Sequence, residues 1–179
     1  MLSEMEQEVV SAQAGDREAF IRLLQGVEST LYSIARSMLR QDEDCADAIQ
    51  ETMLKAYKAI YGLKKPAYFK TWICRILINQ CNEILRQRAR TQTMADIHVL
   101  SSDVKEYEKI DLREAVDQLD ESLRIVVVLH YLQDIPIKDV AHILDISVNA
   151  VKNRLYRARN ILLASLDQSR ERKLNYGAF

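Results

Sequence analysis

The sequence predicts an all-α protein built from two small helical domains joined by a flexible linker. Three observations predict it. Chain-reversing residues are scarce, with 4 Gly and 2 Pro among 179 residues, which leaves a strand-and-turn fold without its usual punctuation. Apolar residues recur at helical spacing through two long blocks. A polar stretch without an apolar stripe separates those blocks, and it is too long for a tight connection inside one small core. The hydrophobic share of 48% is sufficient for packed interiors.

The first block, residues 1–90, reads as a helical bundle. After Gly15, Asp16 is placed to cap a helix carrying Phe20, Leu23, Leu24, Val27, Leu31, Ile34, Ala35, Met38 and Leu39 on one face. Asp42 to Asp44 offer capping carboxylates for a second helix with the stripe Ala48, Ile49, Met53, Leu54, Tyr57 and Ile60, which Gly62 is expected to stop. Pro66 suits the first turn of a third helix whose inward candidates are Phe69, Trp72, Ile73, Ile76, Leu77 and Leu85. Residues 91–108, rich in Thr, Gln, Ser and Asp, read as the linker.

The second block spans 109–168. Asp120 is placed to cap a nearly all-apolar helix containing Leu123, Ile125, Val126, Val127, Val128, Leu129 and Leu132, expected to be the most buried of its domain. Pro136 opens a short helix with Val140, Ala141, Ile143 and Leu144. Asp145-Ile146 then form a turn, and Ser147 caps a helix carrying Val148, Val151, Leu155, Ala158, Ile161 and Leu162. Residues 169–179 read as a tail expected to be disordered.

Composition narrows the chemistry. Net charge is −1, so the bulk balance does not announce a nucleic-acid binder. The distribution is more informative: the first fifty residues are acidic, while Lys152, Arg154, Arg157 and Arg159 sit in a stretch without acids. Three cysteines, Cys45, Cys74 and Cys81, lack metal-ligand spacing and lie apart from the histidines His98, His130 and His142. No disulfide framework, zinc site or other cofactor is therefore expected. His130, within the apolar helix, reads as a satisfied half-buried histidine. No phosphate loop, nucleophile elbow or zinc-protease motif occurs, so catalysis is not expected. With no basic leader and no span of about 20 apolar residues, a cytoplasmic protein is expected.

Ile137 to Arg159 has the layout of a helix-turn-helix. Val140, Ile143, Ile146, Val151 and Leu155 would lock its helices at a fixed angle, as insertion of one helix into the major groove requires. Ser147, Asn149, Ala150, Lys152, Asn153, Arg154 and Arg157 would then face DNA, the leading residues at base edges and the later cations at phosphates. A basic helix alone would be read as a solvated face. Here the short helix, the tight turn and the unbalanced cations coincide.

The stretch from Leu119 to Ala164, including DVAHILDISVNAVKNRLYRARNIL, resembles the fourth conserved region of extracytoplasmic-function sigma factors, members of the sigma-70 family. AQAGDREAFIRLL, DAIQETMLKAY and FKTWICRILINQCNEILR resemble the corresponding helices of that family's second region, in the same order. The resemblance implies a transcription initiation subunit that directs core polymerase to promoters and assists melting. It implies that Asp47, Gln50 and Glu51, otherwise an ordinary acidic face, contact the polymerase β′ subunit. It also implies that Lys70, Arg75 and Asn79 form a stripe on the −10 element, and that the loop Tyr61 to Tyr68 holds a base drawn out of the stack. Tyr61, Tyr68 and Phe69 are stacking candidates there, although aromatics beside a helix start also serve as core. The expected partners are the core polymerase β and β′ subunits, promoter DNA and an anti-sigma factor, commonly membrane-anchored. A plain helix-turn-helix regulator is the competing reading; it would share the second block and have no use for Asp44 to Arg86.

Overall fold

The structure, a computed structural model, describes residues 2–92 and 112–176, with side chains described for 2–90 and 112–165. Among the described residues every regular element is helical. Helix α1 (Glu4–Gln13) starts at a capping box: the Ser3 hydroxyl accepts from the Glu6 N–H, and the Glu6 carboxylate accepts from the Ser3 N–H. Gly15, at φ +100°, makes a turn that a side chain would strain. Asp16 then caps α2 (Arg17–Leu39) by accepting from the Glu18 and Ala19 N–H groups. The long stripe of α2, with Phe20, Leu23, Val27, Leu31 and Ile34 all buried, forms the spine of the first module.

Helix α3 (Asp42–Ala59) differs from expectation at its start. Asp42, Glu43 and Asp44 occupy the first turn, and the cap position falls to Gln41, which makes no side-chain cap bond. The acids still favour a helix start by opposing the positive end of the helix dipole. Two 3-10 turns follow, Ile60–Gly62 and Pro66–Tyr68. Pro66 thus opens the second turn rather than the third long helix, α4 (Phe69–Gln92). The linker expected at 91–108 lies almost wholly outside the described residues.

In the second module, α5 (Leu112–Asp117) leads to α6 (Glu121–Val127), which continues as a π-helical turn through Val128–Leu132. Asp120 caps α6 as expected, accepting from the Ser122 N–H and hydroxyl at 3.2 and 2.7 Å. Leu123 to Leu129 are all buried. Helix α7 (Ile137–Leu144) follows Pro136, and α8 (Val148–Tyr176) follows Ser147, whose hydroxyl accepts from the Ala150 N–H at 3.1 Å. The boundary expected at Gln168 falls inside α8. No Gly or Pro interrupts the chain between Val148 and Tyr176, and Leu, Arg, Glu and Lys all favour helix, so the backbone continues where a disordered tail was expected.

The two modules pack on one another. Helix α2 lies against α6, and α4 against α7, so the buried apolar side chains form one continuous cluster. Arg124, only 4% exposed, bolts the contact: its Nε donates to the Ser37 carbonyl at the end of α2 at 2.6 Å. Its Nη1 donates to the carbonyls of Asp117 and Leu119 at 3.0 and 2.7 Å. Burial, and secondarily the neighbouring Arg40, lowers the guanidinium pKa.

Candidate nucleic-acid interface

The helix-turn-helix is built as the sequence predicts. Val140, Ile143, Val151 and Leu155 are buried between α7 and α8. The turn itself depends on Asp145, in the left-handed region at φ 56°, which ends α7 and lets the Ile146 N–H reach the Ala141 carbonyl at 3.1 Å. Ser147, Asn149, Lys152, Asn153 and Arg157 are exposed on the leading part of α8, while Ala150 and Arg154 are half-buried. These side chains share one end of one helix.

In the first module, Lys70, Arg75 and Asn79 lie on α4, and Lys70 and Arg75 bond to the second module. Lys70 donates to the Gln133 carbonyl at 2.9 Å. The Arg75 guanidinium donates to the His142 imidazole, 3.1 Å from Nε2. Asn79 is exposed and lines a cleft of about 620 Å³ together with Arg75, Asn82, Arg86, Asp120, Asp145 and Arg154. Two of the side chains expected at the −10 element, Arg75 and Asn79, and one arginine expected at the −35 element, Arg154, therefore face a common cavity.

The aromatic candidates separate. Phe69 is fully buried, with its ring centroid 6.0 Å from that of Trp72, so it belongs to the core and is corrected as a stacking residue. Tyr68 is 48% exposed and lines a pocket of about 540 Å³ with Leu63, Lys64, Lys65, Trp72 and Arg75; the Lys65 ammonium stands 5.8 Å from its ring. Tyr61 is 62% exposed and outside that pocket's lining. From the second module, Asp139 and His142 of α7 border the same pocket. Sequence reading assigned neither a role, because only the packing of α7 on α4 brings them there.

Asp47, Gln50 and Glu51 are exposed along α3, and with Leu54 and the α4 residues Gln80, Glu83 and Ile84 they line a shallow groove of about 370 Å³. Glu51 pairs with Lys55 at 3.7 Å. His130 is satisfied, its Nδ1 donating to the Ile135 carbonyl at 2.9 Å, as expected of a half-buried histidine. Cys45, Cys74 and Cys81 are buried thiols, and burial pushes Cys74 and Cys81 up to about 12. Among the described residues no group of His, Cys, Asp and Glu is placed to hold a metal, and no helix is long and apolar enough to cross a membrane.

Fold and site together define a class: an all-helical protein whose second module is a helix-turn-helix of the DNA-binding kind. Residues 23–91 match the family model of sigma-70 region 2, and residues 109–162 match that of sigma-70 region 4. The chain is 30% identical over 138 residues to the RNA polymerase sigma factor SigV of Bacillus subtilis, covering 75% of this chain and 83% of that one. It is 32% identical over 149 residues to the ECF RNA polymerase sigma factor SigM of Mycobacterium tuberculosis, covering 82% and 76%. Among solved structures, CnrH in complex with the cytosolic domain of CnrY superposes with a TM-score of 0.68 at 26% identity, over 93% of this chain and 99% of that one.

The chain belongs to the extracytoplasmic-function branch of the sigma-70 family, the RNA polymerase subunits of transcription initiation. The match over residues 23–91 disfavours the plain regulator, which would have no region 2.

Proposed function

We propose that the chain divides its promoter work between a region 2 domain over 1–90 and a region 4 domain over 109–168, with 91–108 as the tether. In region 4, Ser147, Asn149, Ala150, Lys152, Asn153, Arg154 and Arg157 meet the −35 element. In region 2, Lys70, Arg75 and Asn79 follow the −10 strand, and the loop from Tyr61 to Tyr68 receives an extracted base, with Tyr68 as its stacking face. Asp47, Gln50 and Glu51 dock on core polymerase. The observation that carries this reading is the pocket beside Tyr68, Trp72 and Arg75, an apolar hollow rimmed by Lys64 and Lys65. Apolar walls for a base and cations for its phosphates are what extraction from the stack requires, because unstacking must be offset by new contacts.

The protein works by binding and not by catalysis of its own, in the cytoplasm, and it is held in check by an anti-sigma factor. The solved relative CnrH, captured with the cytosolic domain of CnrY, supports such a partner. Run-off transcription with core polymerase and a randomised promoter library tests the reading. Arg154→Ala is expected to reduce −35 discrimination by about tenfold, the loss of one good base contact, and Asn79→Ala to impair the −10 step. Unchanged promoter selectivity in both variants would refute the residue assignments.

A further inference from the structure

Helix α1 lies before the stretch that matches the region 2 family model, which begins at residue 23. It nonetheless touches both 3-10 turns of the loop between α3 and α4. One side chain of α1, Gln13, hydrogen-bonds to the loop. Nε2 of Gln13 uses both its hydrogens, donating to the Ile60 carbonyl at 2.9 Å and to the Leu63 carbonyl at 2.8 Å. These two carbonyls mark the entry to the loop, and Leu63 itself lines the pocket with Lys64, Lys65 and Tyr68. Within this stretch the loop supplies the backbone bonds from Leu63 N–H to the Ile60 carbonyl and from Tyr68 N–H to the Lys65 carbonyl.

Helix α1 is itself held against α2. Its Val9 and Ala12 are buried, and Glu8 accepts a two-pronged pair of bonds from Arg22, both at 2.9 Å. A fixed helix thus delivers a planar two-hydrogen donor to the two carbonyls at the entry to the loop. A pocket that must accept a base gains from being ordered beforehand, since ordering that would accompany binding weakens it.

We propose that Gln13 is a positioning residue: by bridging Ile60 and Leu63 it sets the shape of the pocket that receives the extracted −10 base. This rests on the assignment of that loop made above. The bridge acts on base capture and leaves polymerase docking on α3 and −35 reading by α8 untouched, because neither surface contacts it.

The test uses full-length protein with core polymerase and the promoter that wild-type holoenzyme selects from a randomised library, carrying 2-aminopurine at each −10 position in turn. Gln13→Met keeps the length of the side chain and removes both donors; Gln13→Lys restores a donor. Gln13→Met is expected to lower the fluorescence rise at the extracted base and relax discrimination at that position by about tenfold, as loss of two hydrogen bonds predicts. Core affinity and −35 discrimination stay at wild-type values, and Gln13→Lys recovers most of the signal. Wild-type discrimination in Gln13→Met, or a parallel loss of core affinity and −35 discrimination, overturns the proposal. Tyr68→Ala and Lys64→Ala, run alongside, separate the two layers: if these also leave the −10 base unaffected, the loop assignment falls and the role of Gln13 with it.

Discussion

At the scale of single residues, Asp145 is the hinge on which the helix-turn-helix depends. Its φ of 56° is a conformation that Gly adopts freely, Asp tolerates and β-branched residues resist. Asp145→Gly is expected to be neutral or stabilising, whereas Asp145→Val should cost about 1–2 kcal/mol in a denaturant titration. Asp120 makes a complementary case. Its hydrogen bonds to Ser122 hold its carboxyl below the usual carboxylate range. A depressed folded-state pKa contributes stability above the unfolded value, near 3.9, and loses it as the pH falls through the folded value. Thermal melts from pH 6 to pH 2 should therefore show an acid loss that is smaller in Asp120→Ala. The placement of Asn149 and Arg154 near the start of one helix was legible in the sequence because spacing on one helix settles which residues sit together. The placement of Gln13, Asp139 and His142 beside the loop pocket was not, since each meets residues far away in the chain.

At the scale of elements, periodicity identified α2, α4 and α6 to α8, because each buries a stripe that water would otherwise penalise. The β-branched run Ile125 to Val128 forms helix and π-turn rather than strand: buried on all sides, it gains from packing more than its propensity costs. Boundaries were less legible. The start of α3 and the start of α4 each shifted because capping geometry and a 3-10 turn depend on neighbouring chain, and α8 ran beyond the expected stop because no breaker occurs before Gly177. Leu155, 3% exposed, fixes α8 against its module. Leu155→Ala should cost about 2–5 kcal/mol by the cavity it leaves, and calorimetry of the variant checks it. Iodoacetamide should likewise leave the native protein unmodified at pH 8 and label it once unfolded, because the buried Cys74 and Cys81 thiols stay protonated.

At the scale of the whole molecule, Arg75 and Asn79 of the first module and Arg154 of the second line one cleft between the packed modules. A compact chain of this length has a radius of gyration of about 16 Å. Elements named −10 and −35 lie about 25 base pairs apart, or about 85 Å of duplex at 3.4 Å per pair. The closed arrangement therefore spans too little DNA to serve both, and under the proposed assignments Lys70 and Arg75 would first leave Gln133 and His142. Residues 93–111 reach at most about 65 Å when extended, which, with the modules' own width, is ample for the open form. Two independent reading modules on a tether were legible in the sequence; their mutual packing was not, because it joins faces whose polar residues read equally well as solvated. Arg124→Gln, which withdraws donors from the carbonyls of Ser37, Asp117 and Leu119, should lower stability by about 2–4 kcal/mol and enlarge the radius of gyration measured by X-ray scattering.

Opening on the polymerase is the central claim, and energy transfer between the modules tests it most directly. With dyes placed through Glu28→Cys on α2 and Asn160→Cys on α8, both exposed positions, transfer should fall when core polymerase and promoter are added. Transfer that stays at its free-protein value in a complex actively making transcript would contradict it.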